Sequence, residues 1–237
     1  FKESKKKLLS NNILELSEKI LNEPSLNDKI RINIYNLLLD NCNTLIEIES
    51  IEKKIKKYFQ VIEDESILST IIKNYSEIGI SIIQKNRMDN LKLMIINKKL
   101  KEYFEIISLN KLVRQRTYSP LIDFYSKSEQ FEKLVFIYNH SVANEIELSE
   151  IDFSNIIKFL YCSKKNLFLL KVIKDMARYI SSVTDLFINN LSFLNLVNIN
   201  QNGYIQKLNK KINLIDIDLE ERLLILSHSD SQMKDFS

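Results

Sequence analysis

The chain has 237 residues, is 45% hydrophobic and carries a net charge of +3 with its positive and negative residues interspersed. That is enough apolar material for one large or two small cored domains, and it excludes a disordered tail. No apolar run is long enough to span a bilayer, and the balanced charge permits nucleic-acid binding without requiring it. Only two Gly and two Pro occur, and Ala stands at 143 and 177 alone. Long helices joined by Asn-, Ser- and Lys-rich connectors are therefore expected, with Ile enrichment reflecting an AT-rich genome more than strands. Cys42 and Cys162 lie far apart on apolar helical runs, which predicts reduced, buried thiols. No signal or transit peptide is visible, although Phe1 is not a natural start.

Leu8, Leu9, Ile13, Leu16 and Ile20 predict an amphipathic helix over 8–21, stopped near Pro24. S-L-N-D from 25 offers a cap for a helix over 30–41, with Tyr35, Leu38 and Leu39 inward. A helix over 48–61 is charged on one face. Ser66 is expected to cap a run over 67–83, either one helix or two broken at Gly79. Helices over 88–100 and 103–113 follow. Thr117 is expected to cap the next, with Pro120 in its first turns, where a missing N–H costs little. Its partner spans 131–143. Asp152 is expected to cap a further helix, paired with 167–180 through Ile173, Met176, Ala177 and Ile180. Another helix is expected over 183–197. After the turn-rich N-I-N-Q-N-G-Y at 198–204, I-N-L-I-D-I-D at 212–218 alternates like a short strand, and the last ten residues read as a connector.

R-T-Y-S-P-L-I at 116–122 and I-D-F-S-N-I-I at 151–157 repeat one apolar pattern thirty-five residues apart. Tyr118 answers to Phe153, Leu121 to Ile156, Ile122 to Ile157, Phe124 to Phe159, Ser128 to Ser163 and Leu134 to Leu169. A match over two helix lengths predicts a repeated helical hairpin, and such arrays bind along a surface. Several helical-repeat families would satisfy that pattern.

The surrounding residues narrow it by resemblance. A thirty-five-residue hairpin opening T-Y-x-x-L-I resembles the pentatricopeptide (PPR) motif, with Glu129 where a glycine is common and Leu134 where an alanine lets the helices approach. Those departures imply helices packed farther apart or shifted. R-Q-R-T-Y-S-P-L-I-D-F-Y at 114–125 and Y-N-L-L-L-D-N-C at 35–42 resemble repeats of protein-only RNase P. N-G-Y-I-Q-K-L-N-K-K-I-N-L-I-D-I-D at 202–218 resembles that family's central domain. The resemblance implies a mainly α chain: an α-solenoid of degenerate PPR-like hairpins over 1–197, then part of a mixed α/β central domain over 198–237. The family's metallonuclease, with its Mg²⁺-binding aspartates, would lie outside this sequence. Where the family has its zinc cysteines this chain has Ile205 and Leu208, which cannot bind zinc, so no structural zinc is expected.

No catalytic constellation is expected within the chain. His140 and His228 lack a paired nucleophile, Asp216 and Asp218 are taken as structural, and no phosphate-loop, dinucleotide or metalloprotease motif occurs. The resemblance implies a precursor-tRNA partner and no small-molecule substrate, for a monomer in an organelle, with the nucleus left open. By the motif, base-facing positions fall at Pro120 and Asn155, with Thr70 a third. Lys111, Arg114, Arg116, Lys127, Lys158, Lys164 and Lys165 are the candidate phosphate contacts.

Overall fold

The computed structural model describes residues 16, 17, 19–85 and 89–179, and among these all regular structure is helical. Complete helices are α1 (Asp28–Asp40), α2 (Leu45–Phe59), α3 (Glu65–Gln84), α4 (Asn90–Leu109), α5 (Gln115–Lys127), α6 (Phe131–Ala143), α7 (Glu150–Cys162) and α8 (Asn166–Tyr179). An earlier helix ends at Leu21, the described end of the expected 8–21 element. The expected helix over 183–197, the strand at 212–218 and the whole 198–237 segment lie outside the described residues. So do Ile205, Leu208, Asp216, Asp218 and His228. Two compact units divide between Ser128 and Glu129, that is, between α5 and α6.

Side chains that satisfy the first N–H groups set the helix starts. Asn27 caps α1, accepting from Lys29 N–H at 2.8 Å. Thr44 and Glu47 form a reciprocal capping box on α2. Three expected caps are displaced. Asp64, not Ser66, caps α3 through Ile67 N–H at 3.1 Å. Ser149, not Asp152, caps α7, and Asp152 is the third helical residue that closes the box, accepting from Ser149 N–H at 2.9 Å. Arg114 holds the cap position of α5, while Thr117 stands third and accepts from Arg114 N–H at 3.4 Å. In each case an oxygen-bearing side chain inside the first turn was mistaken for the residue before it. The two helices expected over 88–100 and 103–113 are one: Leu100 and Tyr103 are both buried on the same face of α4, so no break is needed.

Helix ends compensate for the scarcity of glycine in an unusual way. Gln60, Lys111, Glu129, Glu145 and Lys164 follow helix ends with φ of 59°, 54°, 57°, 55° and 56°. This left-handed region costs an L-residue with a side chain about 1–2 kcal/mol. After α4, α6 and α7 the pair of closing bonds is complete. After α7, for example, Lys165 N–H donates to Leu160 O at 2.9 Å and Lys164 N–H to Tyr161 O at 3.1 Å. Glu129 and Lys164 are the equivalent positions of the thirty-five-residue repeat. The glycine preference there reflects backbone sign.

In the unit ending at Ser128, α1 and α2 are antiparallel, with Tyr58 OH donating to Asp28 at 2.9 Å across their ends. Helix α3 lies parallel to α1, since Asn36 meets Ser66 and Asp40 meets Lys73. It also lies parallel to α5, where Glu65 meets Arg116 and Ser69 meets Thr117. Helices α2 and α4 run parallel in a second row, joined by Lys99–Glu52 at 2.9 Å and Lys56–Glu102 at 3.6 Å. Tyr75, Tyr103 and Tyr118 are fully buried between the rows. In the other unit α7 packs on α8. There α6 and α8 run parallel, with Phe131 against Phe168 and Tyr138 OH donating to Asp175 at 2.6 Å. Leu169, Val172, Ile173 and Met176 of α8 are buried. Cys42 is half-buried, and burial pushes its thiol up to about 12. Cys162 is exposed, against expectation, because its helix ends at that residue.

Helix α3 runs unbroken through Gly79. A Cβ there would stand 2.4 Å from Phe124 Cε2 and 2.9 Å from Cδ2 of α5. Gly79→Ala should gain about 1 kcal/mol of helix propensity but force the fully buried Phe124 ring aside, an overpacking cost of about 1–3 kcal/mol. We expect a net loss of stability, read as a lower denaturant midpoint at unchanged slope. A stabilised variant would show that the ring has room.

A candidate nucleic-acid interface

Within the unit ending at Ser128, two of the expected contact residues, Arg114 and Arg116, lie at the N-terminal end of α5, beside that of α3. Glu65 sits in the first turn of α3, directly after its cap, and Arg116 in the first turn of α5. Parallel packing brings them together. Arg116 Nε donates to Glu65 Oε1 at 2.8 Å, its terminal nitrogen pairs with Oε2, and Arg114 Nε lies 3.8 Å from Oε2. Ser69 Oγ also donates to Glu65 at 2.8 Å and shares a 3.0 Å hydrogen bond with buried Thr117.

Burial alone would push the Glu65 carboxyl up. The hydrogen bonds from Arg116 and Ser69, with the charges of Arg116 and Arg114, outweigh it and hold the group below its usual range. A planar guanidinium gripping a carboxylate with two bonds is a strong charge-assisted pair. The two arginines expected to meet phosphates thus already hold a protein carboxylate, although both side chains remain more than half exposed. Lys127 likewise donates to Asp123 at 2.8 Å, one turn back on α5. Lys111 is exposed, in the left-handed position after α4.

The expected base-reading positions are modest. Thr70 is half-buried and donates its hydroxyl to Ser66 O at 2.7 Å, within its own helix. Pro120 is half-buried and has no N–H to offer. In the other unit Asn155 is half-buried on α7, whereas Lys158, Lys164 and Lys165 are exposed. The Lys165 ammonium stands 4.7 Å over the Phe131 ring, a cation–π contact that leaves its charge available to an anion.

Sequence reasoning missed the acids. Glu65 was hidden as the residue after an unrecognised cap. Glu52 is almost fully buried and meets Lys99 at 2.9 Å. Its signal was present: positions 48, 51, 52 and 55 form an i, i+3, i+4, i+7 stripe with Glu52 among isoleucines. Burial alone would lower Lys99, yet the bond and charge of Glu52 hold it above its usual value. Among the described residues no group of three or more His, Cys, Asp or Glu is placed to hold a metal. No described helix is long and apolar enough to cross a membrane.

Because the folded Glu65 carboxyl titrates below its ordinary value of 4.5, its pairing stabilises the fold above that pH and is lost as pH falls through the lowered value. Unfolding free energy measured from pH 6 down to 3 should decline, and Glu65→Gln should remove about 1 kcal/mol of that decline. Identical pH profiles for the two proteins would contradict the pairing. Compared with known proteins, the chain matches no family model and no curated protein.

Proposed function

We propose that this chain is the RNA-binding helical-repeat arm of a protein-only RNase P, gripping precursor tRNA while a metal-dependent nuclease beyond these residues removes the 5′ leader. The observation that carries the reading is the order of packing inside each unit. Helices α1, α3 and α5 lie side by side and parallel, with α2 and α4 as a second parallel row. Parallel α6 and α8 repeat the second-row relation in the other unit. Hairpins stacked like with like are the arrangement of an α-solenoid of PPR-like repeats. The resemblances at 35–42, 114–125 and 202–218 supply the family, including a mixed α/β central segment after 198.

On this reading recognition is by shape and phosphate contacts more than by a base code. Pro120 lacks a donor and the Thr70 hydroxyl is turned into its own helix. Asn155 carries an amide able both to donate and to accept. Lys111, Lys158, Lys164 and Lys165 present exposed charge, and Arg114 and Arg116 could exchange Glu65 for phosphate. On this reading catalysis belongs to the nuclease and not to the arm. Mg²⁺ in the nuclease would activate the attacking water, and the arm would hold the tRNA body in register for it. The reading includes a monomeric protein working in an organelle.

A second reading, a non-catalytic helical scaffold for another RNA or a protein, is favoured by the engagement of Arg116 and Lys127 with acids of the chain itself. Binding of precursor tRNA and of an unstructured RNA of equal length separates the two. The first reading expects precursor tRNA to bind several-fold tighter, and Arg114→Ala with Arg116→Ala to weaken that binding by about three-fold or more at moderate salt. Equal affinity for both RNAs, or an unchanged double variant, would overturn it.

A further inference from the structure

Charge is divided unevenly between the two rows of the unit ending at Ser128. Helices α2 and α4 carry eight lysines against five acids, whereas α1, α3 and α5 carry five cations against five acids. The excess falls on the sides turned to solvent. Helix α2 buries Ile48, Ile51, Glu52 and Ile55, so Ile46, Ser50, Lys53 and Lys57 recur at i, i+4, i+7 and i+11 on its opposite, exposed side. Helix α4 buries Ile96, Leu100, Tyr103, Phe104 and Ile107, which puts Met94, Lys98, Lys101, Glu105 and Leu109 outward in the same way.

The Lys99–Glu52 pair aligns the two stripes. Counting back from it along the parallel helices, Ile46 and Met94 stand at one level, and Lys53 and Lys98 at another further along. Leu109, Ile46 and Met94 are the three most exposed large apolar side chains described in that unit, at 82%, 80% and 66%. Lys53, Lys57 and Lys98 meet no carboxylate among the described residues, and Lys101 meets Glu105 at 3.7 Å. Glu105 is the one acid on either stripe. Lys56 takes Glu102 at 3.6 Å on the flank between the helices.

We propose that the outward side of α2 and α4 binds the surface of an anionic phospholipid bilayer, its lysines on the headgroups and Ile46, Met94 and Leu109 in the boundary between headgroups and acyl chains. Charge complementarity selects the anionic surface, since each lysine near such a leaflet strengthens binding about five-fold. The aliphatic side chains select lipid, because the acyl boundary removes them from water as a soluble polyanion does not. A protein partner or a single-stranded RNA would call for aromatic or Arg anchors. The exposed residues of α2 and α4 include no Arg, and their one exposed aromatic, Tyr58, is turned towards Arg31 and Asp28 of α1. Association of this kind lies on a membrane and needs no spanning helix. The proposal goes beyond the RNA-binding reading and uses none of its residues, so either can fail alone.

The test is co-sedimentation of the whole chain with vesicles of phosphatidylcholine containing about 30% phosphatidylserine, set against vesicles of phosphatidylcholine alone. Affinity for soluble inorganic polyphosphate is measured in parallel. At low salt the mixed vesicles should bind at least about ten-fold tighter than the neutral ones, and the difference should shrink as salt rises. Lys53→Ala with Lys57→Ala and Lys98→Ala should weaken binding to mixed vesicles about a hundred-fold. Ile46→Ser with Met94→Ser and Leu109→Ser should weaken it about ten-fold while leaving polyphosphate affinity unchanged. All six side chains are exposed, so both variants should keep the parent's unfolding midpoint. No binding to mixed vesicles, or equal binding to neutral ones, would overturn the proposal. An apolar variant that binds mixed vesicles like the parent would also overturn it, leaving a patch for polyanions only.

Discussion

Helix α3 lies against α5 at a distance that only a missing Cβ permits. Gly79 receives the Cδ2–Cε2 side of the buried Phe124 ring, and the two helices run parallel with Ser69 against Thr117 and Glu65 against Arg116. The other contacts of that unit depend on this one. With α3 fixed, its opposite flank meets α1 through Ser66 and Lys73, and Tyr75 stacks on Tyr103 of α4. A bulkier residue at Gly79 would push α3 away from α5 and loosen the tyrosine layer beneath them.

The same packing governs the electrostatics. Helices that lie side by side and parallel bring acids on one helix to face cations on the next. Asp40–Lys73, Glu52–Lys99, Lys56–Glu102 and Glu65–Arg116 all join helices that neighbour in space but not in sequence. Their stabilising contribution is modest where they are exposed, but they orient the side chains that an RNA would meet. Arg114 and Arg116 are thereby held at the helix starts in place of sweeping through solvent. A phosphate arriving there must displace a carboxylate whose proton affinity is already depressed by those arginines. Such a site suits an anion that brings several contacts at once.

Much of this was legible from the residues alone, and the failures have identifiable causes. The apolar residues of the thirty-five-residue repeat, from Tyr118 to Phe159, are buried as their spacing demands. Helix existence was readable because Ile, Leu, Tyr and Phe recur with helical period over lengths no strand reaches. Helix starts were misplaced at Ser66, Thr117 and Asp152 because oxygen-bearing side chains serve equally well before a helix or in its first turn. Gly79 left one helix or two open because one-dimensional reading assigns glycine a propensity and cannot see Phe124. Ion pairs were invisible for the same reason: Glu65 and Arg116 are separated by two helices in sequence and meet only in the fold.

The competition between Glu65 and RNA phosphate for the same two arginines is where the packing and the proposed function meet. Its most direct test is the precursor-tRNA affinity of Glu65→Gln, which keeps the shape and the Ser69 partner but removes the competing charge. If the edge formed by α3 and α5 grips RNA, the variant should bind about two- to five-fold tighter than the parent chain at moderate salt, the gain shrinking as salt rises. Unchanged or weaker binding would mean that Arg114 and Arg116 serve the fold alone, and that this edge is not an RNA grip.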